Sequence, residues 1–336
     1  MDNFQSISYF LPELLIVQLA LSIIILDLLS LKKWVNVCIY VGLSFITLLL
    51  YQFTPLNESF TIFNNMLIND PFSYYFKWII LVSTFSIIIV SNYSKELDED
   101  YSVEFKALTL FVLLGMFLMT NSIDLLMIYL SIELVSIPSY VLAGMLKNDK
   151  KSNEASLKYV IFGSFASGIM LFGLSWLYGL SGSTNIYEIY KAIAVVENPY
   201  MIYMSIMLIL VGFGYKISMA PLHYWTPDVY EGSPTVVTAF FSVAPKAAGF
   251  AILIRTFSIL FTDGNSLSQD LMPLADINWT LIIAILSAVT MSIGNLLALK
   301  QDNVKRMLAY STISHVGFIL MAVCTLNTLA IYGIMF

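Results

Sequence analysis

The chain has 336 residues, 59% of them hydrophobic and only 11% charged, with a mean hydropathy of +0.83 and a formal net charge of −6. Soluble domains carry about 25% charged residues, so this composition excludes a globular soluble domain, and no nucleic-acid partner is expected. Apolar runs of about 20 residues, enough to cross a bilayer, recur along the length and predict a polytopic, all-α membrane protein.

The first run, 10–29, has no basic flank before it and no small-residue cleavage site, so it reads as a retained span rather than a signal peptide. Further spans are predicted at 34–53, 72–91, 105–121, 123–146, 159–180, 200–220, 234–257, 279–298 and 304–325. The segment "TPLNESFTIFNNMLINDP" (54–71) is polar and β-prone and is expected to form a hairpin outside the membrane; "NYSKELDEDYSVE" (92–104) is an acidic loop. Cys38 and Cys324 fall inside apolar runs, at a spacing unsuited to a metal or iron–sulfur cluster, and are expected to be buried thiols. The glycines of "GFG" at 212–214 do not follow a strand, which excludes a nucleotide-binding loop. An eleventh run, "TLAIYGIMF", starts at Thr328. Nine residues reach roughly 14 Å, about half the hydrocarbon thickness, so the chain is expected to be cut inside a span.

Lysine and arginine in short loops set the orientation. The loops after spans 1, 5 and 9 carry Lys32 and Lys33, then Lys147, Lys150 and Lys151, then Lys300, Lys305 and Arg306. Those after the even-numbered spans carry Lys191 and, at an edge, Arg255. Odd-numbered loops are therefore expected in the cytoplasm and the N-terminus outside.

A charge at the bilayer centre costs at least ~2.5–3.5 kcal/mol, so each one needs an explanation. At 1.5 Å per residue, Glu133 lies ~16 Å into span 5, Lys246 ~18 Å into span 8 and Lys216 ~24 Å into span 7. Tyr129, Ser136 and Tyr140 share a helical face with Glu133. Thr235, Thr238 and Ser242 lead to Lys246 at spacings of three, four and four. Ser311, Thr312 and His315 make a third polar stripe, on span 10. Hydroxyls that end on an ionisable group can hold the waters of a proton wire. Span 7 runs into "GFGYKISMAPLHYWTPDVYEG", where Pro221 removes a helix donor and clashes with the carbonyl four residues earlier. The helix is therefore expected to break between about Met219 and Leu222. Irregular backbone at this depth is tolerated only against protein or a water-filled cavity, and broken helices beside ionisable groups are the usual site of ion translocation. A Glu133–Lys216 pair could then take up or release a proton as its separation changes.

Structural interhelical ion pairing is the alternative account of Glu133, Lys216 and Lys246. His223 follows the break and reads as a loop histidine as readily as a relay member. Lys77, Asp124, Lys158 and Arg255 lie near span ends, where snorkelling or interfacial anchoring is expected, and Tyr224 and Trp225 suit an interfacial aromatic belt.

The run "YKISMAPLHYWTPDVYEGSPTVVTAFFSVAPKAAGF" resembles the signature of the antiporter-like proton-pumping subunits of respiratory complex I. Within these, "FLPELLIVQLALSIIILDLL", "SNEASLKYVIFGSFASGIMLFGLSWLYGLSGSTNI" and "NLLALKQDNVKRMLAYSTISHVGFILM" resemble the subunit N family of NADH–quinone oxidoreductase, over nearly the whole chain. The resemblance implies a bundle built from two inverted five-helix repeats, roughly spans 4–8 and 9–13, with span 7 broken near Pro221 and His223. It divides the chain into helices 1–3 with the hairpin (1–104), a first half-channel (105–257) and the start of a second (279–336). It also implies that Glu133, Lys216, Lys246 and His315 form a proton relay in a bacterial cell membrane, next to other membrane-arm subunits of the antiporter-like kind. This chain would bind no cofactor of its own: NADH, FMN, iron–sulfur clusters and quinone would belong to partner subunits. A subunit of a multisubunit cation/proton antiporter or membrane-bound hydrogenase shares the lysine and broken-helix pattern. A membrane scaffold pinned by its charges is a further alternative.

Overall fold

The computed structural model describes residues 3–54, 59–97, 99–196, 199–263, 272–274, 277–325, 327, 330, 333 and 334. Ten helices among them are long and apolar enough to cross a membrane, and each coincides with one of the ten predicted spans. They are α2 (Leu11–Leu28), α3 (Lys32–Phe53), α4 (Pro71–Ser91), α5 (Glu99–Asn121), α6 (Leu125–Ala143), α7 (Lys150–Ser181), α9 (Pro199–Ile217), α11 (Thr235–Phe261), α12 (Trp279–Ala298) and α13 (Val304–Cys324). The short helices α1 (Asn3–Tyr9), α8 (Ile186–Ile193) and α10 (Trp225–Gly232) complete the helical set. The eleventh apolar run lies for the most part outside the described residues.

Local chemistry sets several of the ends. Asp70 caps α4 by accepting from the Ser73 amide at 2.8 Å, while the Ser73 hydroxyl accepts from the Asp70 amide at 3.2 Å. Pro71 follows at the first helical position, where its missing N–H costs nothing. The 32 residues of α7 far exceed the predicted run 159–180. Its first turns, "KKSNEASLK", contain no glycine or proline and continue the helix in polar sequence that a hydropathy window cannot see. Helix α8 was too short for such a window as well, yet it is amphipathic: Ile186, Ile189 and Ile193 are buried at i, i+3 and i+7. Cys38 and Cys324 are half-buried rather than buried, because each stands at the edge of its helix's packed face.

The chain divides into two compact units. The first takes residues 1–157 and 232–252, the second residues 158–231 and 253–336. In the first, α5 is the hub, packed on α2, α4 and α6. Gly115 lets α6 approach so closely that a Cβ there would sit 2.9 Å from the Val135 amide nitrogen. The expected hairpin is present over its described part: β1 (Phe60–Ile62) pairs antiparallel with β2 (Leu67–Asn69), and Phe63, Asn64 and Asn65 turn in the left-handed region. The Ile123 amide donates to the Met66 carbonyl at 3.1 Å, which ties the hairpin to the end of α5. In the second unit, α12 and α13 pack as a close pair. A Cβ at Gly317 would lie 2.7 Å from the Met291 nitrogen, and the Ser287 hydroxyl bonds the Gly317 carbonyl at 2.7 Å. Small residues that let backbones touch, with hydroxyls bridging them, are how helices associate where both sides are apolar.

Candidate functional site

The break in span 7 is built by a left-handed residue. Ser218 has φ 68°; its amide donates to the Tyr215 carbonyl at 3.1 Å, and the Met219 amide donates to the Gly214 carbonyl at 2.7 Å. This pair of bonds is a Schellman motif, which satisfies the last carbonyls of a helix. The helix therefore stops at Ile217, earlier than the break expected between Met219 and Leu222, and Pro221 lies in backbone that is already irregular. The irregular stretch is held by side chains. The Ala220 amide donates to the Thr290 hydroxyl of α12 at 3.0 Å, and the Trp225 indole donates to the Tyr215 carbonyl at 3.0 Å. Trp225 is buried and stacked on Tyr159 at 4.4 Å, so it is a strut of the break, while Tyr224 beside it is exposed. Buried His223 carries an Nδ1 that no partner among the described residues reaches.

Lys216 occupies the last turn of α9, 4% exposed. Lys246, in α11, is 5% exposed and directly follows Pro245, which leaves the Phe241 carbonyl without its helical donor. Along the stripe leading to it, Ser242 and Thr238 are half-buried and Thr235 is exposed; Thr235 binds Glu96 through both its amide and its hydroxyl. Glu133 is half-buried, with a buried Oε1 that no hydrogen-bond donor among the described residues reaches. Proline again lies nearby: Pro138 frees the carbonyl of Leu134. On the same helix, Tyr129 is half-buried, Tyr140 is buried, and the buried Ser136 hydroxyl bonds the Ile132 carbonyl at 2.7 Å. Glu133 and Lys246 belong to the first unit, Lys216 and His315 to the second. On α13, Ser311 and Thr312 are half-buried and His315 is exposed beside Phe318. The buried serine of that helix is Ser314, whose hydroxyl donates to Asn295 at 2.9 Å.

The charges near span ends lie against protein. Lys77 is fully buried and paired with Glu13 of α2 at 2.6 Å. Asp124 is 4% exposed and caps α6, accepting from the Leu126 amide at 2.9 Å. Arg255 is 5% exposed. Lys158 belongs to a network: its Nζ lies 2.5 Å from Asp228 Oδ2, and Arg306 NH1 lies 2.6 Å from Asp228 Oδ1 and 3.1 Å from Glu231 Oε2. Hydropathy windows average such residues away; the carboxylates at Asp228 and Glu231, with two cations at the edges of predicted spans, were the available signal. The network pins α10, the segment after the break, to α7 and α13. Its groups are about a third exposed, so Asp228→Asn is expected to cost only about 1–2 kcal/mol. The loss should appear as faster hydrogen exchange confined to the α10 amides; unaltered exchange would contradict the pinning role.

Among the described residues, no group of three or more His, Cys, Asp or Glu is placed to hold a metal ion.

A family model described as NADH:quinone oxidoreductase/Mrp antiporter, TM, matches residues 122–336. Over 99% of its length the chain is 40% identical to the NADH-quinone oxidoreductase subunit N of Anaeromyxobacter sp. (strain Fw109-5), of which it covers 67%. Over its whole length it is 42% identical to the NADH-quinone oxidoreductase subunit N 2 of Sorangium cellulosum (strain So ce56), of which it covers 68%. Among solved structures, respiratory complex I from Thermus thermophilus with bound aureothin contains a chain similar at a TM-score of 0.74 and 28% identity. That match covers 93% of this chain and 64% of the other. The chain thus spans about two thirds of the length of the relatives it matches.

Proposed function

This chain belongs to the NADH:quinone oxidoreductase/Mrp antiporter transmembrane family, among its subunit N members, and from that premise we propose that it moves protons across the membrane as one subunit of an NADH–quinone oxidoreductase. It is a multi-pass membrane protein. On this reading the redox cofactors and the quinone site belong to partner subunits, other antiporter-like subunits lie beside it in the membrane arm, and the complex resides in a bacterial cell membrane. The charge rule places the N-terminus outside, and two inverted five-helix repeats organise the relay.

The observation that carries the proposal is Lys246. It is an amine at 5% exposure on a membrane helix, at the end of a hydroxyl stripe of half-buried Ser242 and Thr238 and exposed Thr235. A lysine amine in such a place can take up and release a proton, which an apolar side chain of the same length cannot. Glu133 supplies a carboxylate in the same unit. On this reading Lys216, beside the broken backbone of the second unit, and His315 on α13 are the further proton-carrying groups. The test is Lys246→Met in the whole complex, in sealed membrane vesicles, with proton uptake and quinone reduction measured together. The expected result is an assembled complex in which proton translocation falls. Unchanged protons per electron at unchanged turnover would refute the role of Lys246.

A further inference from the structure

The relay makes no use of a second set of buried ionisable groups in the first unit. Glu13 enters α2 two residues after its start and Lys77 enters α4 six residues after its start, ~3 Å and ~9 Å in at 1.5 Å per residue. Both side chains are at most 1% exposed, and Lys77 Nζ lies 2.6 Å from Glu13 Oε1. With its amide oxygen turned to the ammonium, Asn121 at the end of α5 accepts a second bond from Lys77 at 2.8 Å and donates to the Thr120 hydroxyl at 2.8 Å. The rings of Tyr74 and Phe117 lie 5.0 and 5.6 Å from the same nitrogen. Asn69 of β2 packs on Asn121 at 3.0 Å, so the hairpin covers this end of the cluster. Asn69 Nδ2, at the hairpin edge of the cluster, has no hydrogen-bond partner among the described residues, and neither do Glu13 Oε2, an acceptor, and the Tyr74 hydroxyl, a donor. Lys77, held against both Glu13 and the Tyr74 ring, links the two.

A buried acceptor and a buried donor that both lack partners are rare, and each carries the full cost of its desolvation. They are also complementary. One water between them would accept from the tyrosine and donate to the carboxylate, and polar, enclosed sites of this kind hold ordered water.

We propose that Glu13, Lys77 and Tyr74 form a second proton-exchange site, at the hairpin-covered end of the first unit, which the charge rule places outside. In one state the pair is ionic. In the other the proton has moved along the 2.6 Å contact, breaking Nζ–H and forming Oε1–H, and the pair is a neutral amine and a carboxylic acid. Its net charge is zero in both states, so the transfer places no uncompensated charge in the membrane. In the neutral state the acid exchanges its proton with the water on Tyr74, one O–H of the acid breaking as another forms, and the reverse transfer from the acid to the amine breaks O–H, re-forms Nζ–H and restores the ion pair.

This inference rests on the proton-translocating reading. Its test is Tyr74→Phe in the whole complex, in vesicles, beside wild type. If the cluster only pins helices, removing a partnerless hydroxyl leaves assembly and pumping intact. The expected result is instead an assembled complex that has lost part of its proton translocation per electron, with a change in the hydrogen–deuterium-sensitive infrared band of a carboxylic acid. The pair Glu13→Gln with Lys77→Met should assemble and show the same loss. Pumping at the wild-type ratio in either variant overturns the proposal, and so does failure of Tyr74→Phe to assemble, which would make the hydroxyl structural. A wild-type complex that reduces quinone without pumping would instead overturn the function proposed above.

Discussion

Lys77→Met is expected to deplete the assembled protein more than any other single change considered. Methionine matches the length of the lysine stem, so the volume is kept and only the charge is lost. What remains is a Glu13 carboxylate at 0% exposure with its counter-charge gone. Removing one partner of a buried pair costs ~3–5 kcal/mol, a large share of a typical net stability of ~5–15 kcal/mol. The measurement is the amount and the melting temperature of the solubilised complex. Adding Glu13→Gln to the same chain removes the stranded charge and should recover most of the loss, since replacing both partners of such a pair is often close to neutral. If Lys77→Met is as stable as wild type, the ion pair is not what holds α2 against α4.

Lys216→Met is expected to act in the opposite manner, with a small loss of stability and a large loss of function. A cation in the last turn of a helix is favoured by the macrodipole, by up to ~2 kcal/mol in partly buried sites, and its removal forfeits that contribution. The break itself does not depend on the lysine. It is held by Ser218, by the Trp225 indole on the Tyr215 carbonyl and by Thr290 on the Ala220 amide. Proton translocation should fall on the order of 100-fold, the lower end of what a positioned acid–base group contributes. Lys216→Arg separates charge from proton exchange: the guanidinium keeps the charge and does not release its proton. It should be more stable than the methionine variant and no better at pumping. Wild-type pumping in the arginine variant would make Lys216 a fixed charge rather than a carrier.

The ten spans were legible because the bilayer imposes one length and one composition on every helix that crosses it, and because hydropathy needs no knowledge of neighbours. The same one-dimensional pattern carried Glu133, Lys216 and Lys246, since a charge inside an apolar run stands out against its own helix. The hairpin at 54–71 and the existence of a break near Pro221 were also local signals. The sequence by itself therefore determined which segments are helices and which charges lie within them. Partners were decided only by the tertiary structure, because they come from residues far apart in the chain. Glu13 meets Lys77 across 64 positions and Arg306 meets Asp228 across 78; neither side of such a contact announces the other. That is why Lys77 and Lys158, which read as snorkelling cations, are paired groups, and why Trp225, which read as an interfacial aromatic, stands buried on Tyr159. The position of the break belonged to tertiary structure too. A serine can adopt φ 68° only where its surroundings favour it, and here Thr290 and Trp225, from outside α9, hold the backbone that follows.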